Sequence, residues 1–191
     1  MHMRPNTYTI NLGNDRPNLC MKVLPMRYSR RSLGDIVKQL TPPPGEDIES
    51  TMIFCNTRRD CHAVQCTLQR SFPDLSRSKV VVYHAARTES AKRDVMEKLM
   101  TGDIKILICT EAAGMGADIP NIKKVIQLGV LSSLSIWIQR AGCAGQTRNL
   151  LADAILLVPP SFYNAVSAQG PMLQASQLRK KRTKMTDSEQ G

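Results

Sequence analysis

The chain has 191 residues, of which 42% are hydrophobic and only 4% aromatic, and its formal net charge is +10. This length suits one ordinary domain with extensions, and a core of this composition must be built from aliphatic side chains. The positive charge favours a polyanionic partner, and the sequence contains neither a run long and apolar enough to span a bilayer nor a signal-peptide core.

The six cysteines include no C-x-x-C pair, and two of them lie in predicted strands; they are Cys20, Cys55, Cys61, Cys66, Cys109 and Cys143. This pattern predicts reduced, mostly buried thiols in an intracellular protein, and no metal site.

The first part of the chain reads as an arm, a strand and a helix. Residues 1–17 are polar and rich in Asn and Pro, which predicts an N-terminal arm, and residues 18–24 are a candidate lead-in strand. Helical spacing of apolar residues follows over 32–40, with Ser32 as the N-cap, and the Pro-rich stretch 41–45 ends it.

Continuous apolar runs then alternate with amphipathic helices. The predicted strands are 51–55, 79–83, 106–109, 124–128 and 154–158, and the helices between them begin near 57, 88 and 134. This alternation predicts an α/β fold in three layers, with a mainly parallel sheet covered by helices on both faces. The domain is expected to occupy residues 18–165, and the basic segment 166–191 to form a disordered tail.

One stretch, KILICTEAAGMGADIP at residues 105–120, combines a buried strand with a Gly-rich loop. In open α/β folds such a loop lies at the carboxyl edge of the sheet, where ligands bind. A tight strand-to-helix turn is the simpler alternative, because Gly suits strained backbone.

Four loops are expected along this edge: 56–59, 83–86, 110–118 and 139–146. Their backbone N–H groups, hydroxyls and arginines suit phosphate groups. Arg58 and Arg59 stand at a helix start, where the helix dipole disfavours cations, so they are either functional or simply solvated. The sequence has no G-x-x-x-x-G-K-[ST] phosphate loop and no acidic D-E-x-[HD] box, so the chain is not expected to hold Mg-ATP alone.

Taken together, five segments resemble the second, RecA-like motor lobe of RecQ-like superfamily 2 helicases of the fungal type. They are Arg16–Leu19 (an R-P-N segment), Ile53–Arg58 (motif IV), Val82–Ala86 (a Y-H-A-G segment), Thr110–Pro120 (motif V) and Gln139–Gln146 (motif VI). The resemblance implies an ATP-dependent 3′-to-5′ DNA helicase whose ATP lies between two lobes, with the phosphate loop on the first.

The resemblance also implies roles for individual residues. Those implied to face ATP are Gly116, Asp118, Gln139 and Arg140, and those implied to face single-stranded DNA are Asn56, Thr57, Arg58, His84 and Thr110. Each has a structural alternative: Asn56 and Thr57 as helix caps, His84 as a packed residue, and Asp118 as a turn former.

Motif VI departs from the family's Q-x-x-G-R-x-G-R pattern. Cys143 and Gln146 occupy the two arginine positions, both are expected to point into the ATP cleft, and neither supplies a positive charge. Arg140 and Arg148 are nearby but out of register. The sequence thus suggests a truncated and catalytically degenerate lobe, in which arginine at both positions would restore turnover.

Three hypotheses follow. In the first hypothesis, the chain is a helicase lobe that uses ATP and Mg²⁺ only with a first lobe supplied in cis or in trans. On its own it is then expected to use no cofactor. The second hypothesis is an inactive remnant that binds single-stranded nucleic acid or a protein, and single-stranded or tailed DNA is the expected partner. The third is a nucleotide-binding regulator, which leaves the two clusters of basic residues, at 27–31 and 179–184, unexplained. The basic tail suits either a polyanion or nuclear import, and no membrane association is expected.

Overall fold

The structure, a computed structural model, describes residues 16–28, 33–83, 89–110, 119, 121–147 and 150–164. The expectations for residues 1–15, for His84, for Gly116 and Asp118 in the Gly-rich loop, for Arg148 and for the tail beyond residue 164 therefore lie outside the described residues.

A six-stranded sheet forms the centre of the fold. Its strands are β1 (Leu19–Pro25), β2 (Thr51–Cys55), β3 (Val80–Tyr83), β4 (Ile106–Cys109), β5 (Lys124–Leu128) and β6 (Ala152–Val158). They lie in the order β1-β6-β5-β2-β4-β3, and every pairing is parallel. The predicted α/β fold with a parallel sheet is confirmed, including the lead-in strand β1.

Helices cover both faces of this sheet. They are α1 (Gly34–Leu40), α2 (Arg58–Ser71), α3 (Glu89–Thr101) and α4 (Leu134–Ala141), with one 3-10 turn at Arg77–Lys79 and a further helical segment over 160–164. None of the described helices has the length and apolar character needed to cross a membrane.

Two hydrophobic clusters explain why the inner strands β2 and β4 are buried throughout. Ile53, Ile108 and Ile126 face α1 and α2, whereas Phe54 and Leu107 face the opposite side. There, α3 and α4 contribute Val95, Leu99, Trp137 and Ala141 to the other cluster. Strands buried on both faces show no alternation of polar and apolar residues, which is the pattern read from the sequence.

The start of α1 differs from the prediction. The N-cap residue is Leu33 rather than Ser32, it has a left-handed φ of 52°, and no side chain caps the helix. Leu33 is buried against the cluster beneath α1. Tertiary burial, rather than a capping hydroxyl, therefore fixes this end of the helix. At α2 the structural alternative given for Thr57 is confirmed, because its hydroxyl accepts a hydrogen bond from the N–H of Asp60. At α4, Ser133 caps the helix by accepting a hydrogen bond from the N–H of Ile136, a cap that was not predicted from the sequence.

Candidate nucleic-acid interface

A groove of about 640 Å³ lies where β2, β4 and β5 end. Its lining residues are Cys55, Asn56, Arg58, Thr110, Val130, Leu131, Ser132, Ile136 and Arg140. Because all the strands are parallel, their carboxyl ends meet at this edge. The structure therefore brings together three of the residues expected to face nucleic acid (Asn56, Arg58 and Thr110) and one expected to face ATP (Arg140).

Asn56 ties two loops of the groove together. Its Nδ2 donates a hydrogen bond to the carbonyl of Val130 at 3.0 Å, and its Oδ1 accepts one from Nε2 of Gln127 at 3.1 Å. Gln127 is fully buried, and the same Nε2 lies 3.0 Å from the carbonyl of Leu128 and 3.3 Å from that of Gly129. The Asn56 side chain thus positions the groove wall.

Arg140 supplies a positive charge to this wall from inside the protein. The residue is only 6% exposed, its Nη1 donates to Oε1 of Gln127, and its guanidinium lies 5.1 Å from the centre of the Phe54 ring. Helical side chains lean towards the N-terminus of their helix, so Arg140 reaches from the last turn of α4 back towards the groove. A hydrogen bond and a cation–π contact hold it there.

Thr57 and Arg58 have different environments. The Thr57 hydroxyl accepts from the Asp60 N–H at 3.0 Å and donates to Oδ2 of Asp60 at 2.9 Å, so it acts as the cap of α2. Arg58 is exposed, and within the described part of the chain no carboxylate forms an ion pair with it. The guanidinium of Arg58 is therefore available to an anion at the mouth of the groove.

Residues 142–146 of motif VI, which we call the motif VI loop, do not join this groove, although Arg140 lines it. The expectation that the whole segment 139–146 shares this edge is therefore wrong for the motif VI loop. Gly145 donates its N–H to the carbonyl of Ile122 at 2.8 Å, and Ile122 precedes β5. The loop therefore lies at the amino edge of the sheet. The physical reason is that α4 runs antiparallel to the strands, so a loop that follows this helix emerges at the edge opposite to the loops that follow strands.

The environments of Cys143 and Gln146 also differ from expectation. Cys143 is buried at 6% exposure, and its thiol lies 3.8 Å from the carbonyl of Gln139, so the expectation that it points into a cleft is wrong. Burial raises the pKa of the Cys143 thiol, and the charge of Arg140 opposes this only in part. Gln146 is half-buried, and its Oε1 is enclosed without a hydrogen-bond partner. Gln139 is exposed on α4.

The R-P-N segment holds the motif VI loop, a role that the sequence did not reveal. Nη2 of Arg16 donates to the carbonyls of Ala144 at 2.9 Å and Gly145 at 2.6 Å. Nδ2 of Asn18 donates to the carbonyls of Gly145 at 2.7 Å and Leu150 at 2.9 Å. We call Arg16 and Asn18 the R-P-N clamp. Its only signal in the sequence was the resemblance of this segment to that of the family.

The thiols follow the prediction: all six are free, and those of Cys55, Cys61, Cys109 and Cys143 are buried. Burial raises the pKa of Cys109 well above its usual value, and a hydrogen bond between Cys55 and Cys61, reinforced by burial, raises the pKa of Cys55. Among the described residues, no group of three or more His, Cys, Asp or Glu side chains could hold a metal ion.

Comparison with known proteins identifies the family of this chain. The helicase conserved C-terminal domain family matches residues 33–148, more than half of the chain. The chain belongs to this family. The match begins at α1 and runs through the groove to the motif VI loop.

This helicase C-terminal domain has relatives among RecQ helicases. It is 31% identical over 144 residues to the RecQ-like DNA helicase BLM of Xenopus laevis, covering 75% of the chain and 10% of BLM. It is 24% identical over 152 residues to the ATP-dependent DNA helicase RecQ of Bacillus subtilis, covering 80% of the chain and 24% of RecQ. The chain thus spans between about a tenth and a quarter of the length of these relatives.

A solved structure of Dbp5 from S. cerevisiae shares the fold. It superposes with a TM-score of 0.65 at 20% identity, over 88% of this chain and 42% of that one. This likeness shows the RecA-like fold. Together with the family match over residues 33–148, it identifies the sheet and its helices as the C-terminal lobe of a superfamily 2 helicase.

Proposed function

We propose that this chain acts as the second motor lobe of a RecQ-like 3′-to-5′ DNA helicase and holds the sugar-phosphate backbone of a single strand in the groove. The observation that carries the proposal is the convergence of Asn56, Arg58, Thr110 and Arg140 at the ends of β2, β4 and β5. The RecQ and BLM relatives, which are named as DNA helicases, support DNA as the strand.

The residues divide into contacts and supports. Arg58 is exposed at the first residue of α2, where a cation is disfavoured unless an anion accompanies it. A phosphate bound there satisfies both the guanidinium and the free N–H groups of the helix start. Asn56 and Arg140 are instead held by Gln127, so they shape the groove and set its charge.

In the proposed helicase, ATP binds between this chain and a first motor lobe. The sequence has no phosphate loop and no acidic box, so ATP and Mg²⁺ would bind this chain only against a first lobe, supplied in cis or in trans. The exposed Gln139, with Gly116 and Asp118, would face the nucleotide from this side.

One observation favours a second candidate, an inactive lobe that retains nucleic-acid binding. Cys143 is buried and neutral where the family has an arginine, and Gln146 carries no charge. Arg140 is held in the groove by Gln127 and Phe54, so its guanidinium is already engaged there. A missing arginine finger lowers the rate of phosphoryl transfer by roughly 10³–10⁵.

Two assays on the purified chain test the proposal. Fluorescence anisotropy should detect binding of single-stranded DNA that weakens steeply as salt is added, because phosphate contacts release counterions. The same measurement with RNA of the same sequence gives the preference for DNA over RNA. ATP hydrolysis should stay at the no-protein level with or without DNA. Salt-insensitive or absent DNA binding at low salt contradicts the groove assignment, and DNA-stimulated hydrolysis contradicts the need for a first lobe.

A further inference from the structure

Two exposed aromatic side chains lie at the same edge of the sheet as the groove. Tyr28 is 53% exposed just after β1, and Phe162 is 46% exposed just after β6. The other described aromatic residues are buried or half-buried; they are Phe54, Phe72, Tyr83, Trp137 and Tyr163. In a chain with so few aromatics, both exposed ones described here therefore follow the carboxyl ends of neighbouring strands.

The pairing of β1 with β6 brings these positions together. Pro25 and Val158 are register partners at the ends of the two strands, and Met26 donates its N–H to the carbonyl of Val158 at 2.8 Å. Tyr28 lies two residues after Met26, and Phe162 lies four residues after Val158. We call Tyr28 and Phe162 the aromatic platform.

The ring of Tyr28 is positioned by its neighbours. A Cβ added at Gly34 would lie 2.9, 3.1 and 3.2 Å from Cγ, Cδ2 and Cδ1 of Tyr28, so the face of the ring, and not its edge, rests on this glycine. The carboxylate of Asp35, which is 9% exposed, accepts hydrogen bonds from the backbone N–H groups of Arg27 and Tyr28 at 3.0–3.1 Å. One ring face is thus covered, and the exposure of the residue leaves the other to solvent.

The aromatic platform continues the groove along the sheet edge. The order β1-β6-β5-β2 places β1 three strands from β2, a separation of about 14 Å at the usual strand spacing. In addition, α1 and α2 pack into one cluster on the same face, so Tyr28 and Arg58 lie near the starts of two neighbouring helices. A single strand held by its phosphates at Arg58 can extend across this distance.

We propose that the aromatic platform stacks bases of the single strand whose phosphates lie in the groove. This inference rests on the proposed function and adds a second, base-binding site to it. Every base has a π face, so such stacking tolerates any sequence, and it supplies affinity that does not depend on salt.

Variants of the full chain test the platform by anisotropy with oligothymidylate. Tyr28→Ala and Phe162→Ala should each weaken binding by about tenfold, the scale of one stacked base, at unchanged salt slope. Tyr28→Phe, which keeps the ring, should bind like the wild type. Met100→Ala is the matched control, because Met100 is 48% exposed on α3 near the opposite edge. Thermal unfolding of each variant shows that it is folded.

A change on the DNA side gives an independent readout. Abasic sites keep the phosphates and remove the bases, so oligonucleotides carrying them should lose affinity for the wild type but not for the Tyr28→Ala, Phe162→Ala double variant. Photo-crosslinking with 5-iodouracil should label Tyr28 or Phe162. Equal loss on abasic DNA for both proteins, or full affinity of the double variant, overturns the platform.

The same experiment separates this proposal from the first. If the wild type binds salt-dependently through Arg58 while the aromatic variants bind equally well, the platform alone is wrong. If the wild type does not bind single-stranded DNA at low salt, the proposed function falls, and the platform falls with it.

Discussion

At the scale of single residues, the polar side chains inside the domain differ in how well they are satisfied. The amide of Gln127 is fully buried and fully engaged, with Asn56, Arg140 and two backbone carbonyls as partners. Oε1 of Gln146 is buried without a partner. A buried polar group stabilises a protein only when its hydrogen bonds are made, so these two glutamines should respond in opposite ways to the same change.

Replacement of each glutamine by methionine tests this difference. Gln127→Met removes the acceptor of a buried guanidinium and should lower the free energy of unfolding by about 3 kcal/mol. Gln146→Met removes an unsatisfied acceptor at similar volume and should be neutral or stabilising by up to about 1 kcal/mol. Urea denaturation of the two variants measures both values, and equal destabilisation would show that Oε1 of Gln146 finds a partner in solution.

The burial of Cys143 leads to a second prediction, which replaces the expectation that arginine at this position restores turnover. Cys143→Arg places a guanidinium in a cluster with Trp137 and Ala144, and it should cost about 4 kcal/mol or more. Cys66→Arg is the matched control, because Cys66 is exposed on α2, and it should cost about 0.5 kcal/mol or less. A stable Cys143→Arg protein would mean that the side chain at this position can turn to solvent.

At the scale of elements, the β1 segment and the motif VI loop form one unit. The R-P-N clamp fastens the loop, and Gly145 makes the close approach possible with a φ of 61°. A Cβ there would lie 2.9 Å from Nδ2 of Asn18 and 3.0 Å from the Cβ of Ala152. The loop therefore depends on β1 for its conformation.

A pair of glycine substitutions tests this dependence. Gly145→Ala should cost about 3 kcal/mol, from the left-handed backbone and from the contacts with Asn18 and Ala152. Gly45→Ala has the same backbone problem, with a φ of 86°, but an added Cβ meets nothing within 4 Å, so it should cost only about 1 kcal/mol. If both variants lose the same stability in urea, the clamp does not hold the loop in solution.

Most elements could be predicted because their signals are local. The apolar runs of β2, β4 and β5 and the amphipathic helix α2 are found where the sequence placed them, and Cys61, Val64 and Leu68 form the buried side of α2. The edge of the motif VI loop was missed, although the direction of α4 relative to parallel strands would have predicted it. The burial of Cys143 could not be predicted, because matching a motif fixes a position in the chain and not the direction of its side chain.

The residues of the groove could be predicted from the sequence only in part. Parallel strands bring Asn56, Arg58 and Thr110 to one edge, and the sequence was sufficient to see this. Thr57 serves α2 as its cap, and Asn56 and Arg140 meet through Gln127, a contact between residues far apart in sequence. Such long-range polar contacts leave no local pattern.

At the scale of the whole molecule, the two edges of the sheet carry different structural features. The carboxyl edge carries the groove and the aromatic platform, whereas the amino edge carries the motif VI loop and the R-P-N clamp. The net charge of +10 provides a general attraction for nucleic acid, so weak binding alone does not identify the groove. A test of the groove must therefore compare variants that have the same net charge but lose a positive charge at different positions.

Arg58 and Arg70 permit that test, because both are exposed on α2, one at each end. Arg58→Gln and Arg70→Gln have the same net charge, and their binding to fluorescein-labelled oligothymidylate is measured by anisotropy over a range of salt. Arg58→Gln should weaken binding by about tenfold and reduce the salt slope by about 0.7, the value for one lost phosphate contact on a single strand, whereas Arg70→Gln should match the wild type. Equal behaviour of the two variants would contradict the assignment of the groove as the nucleic-acid site.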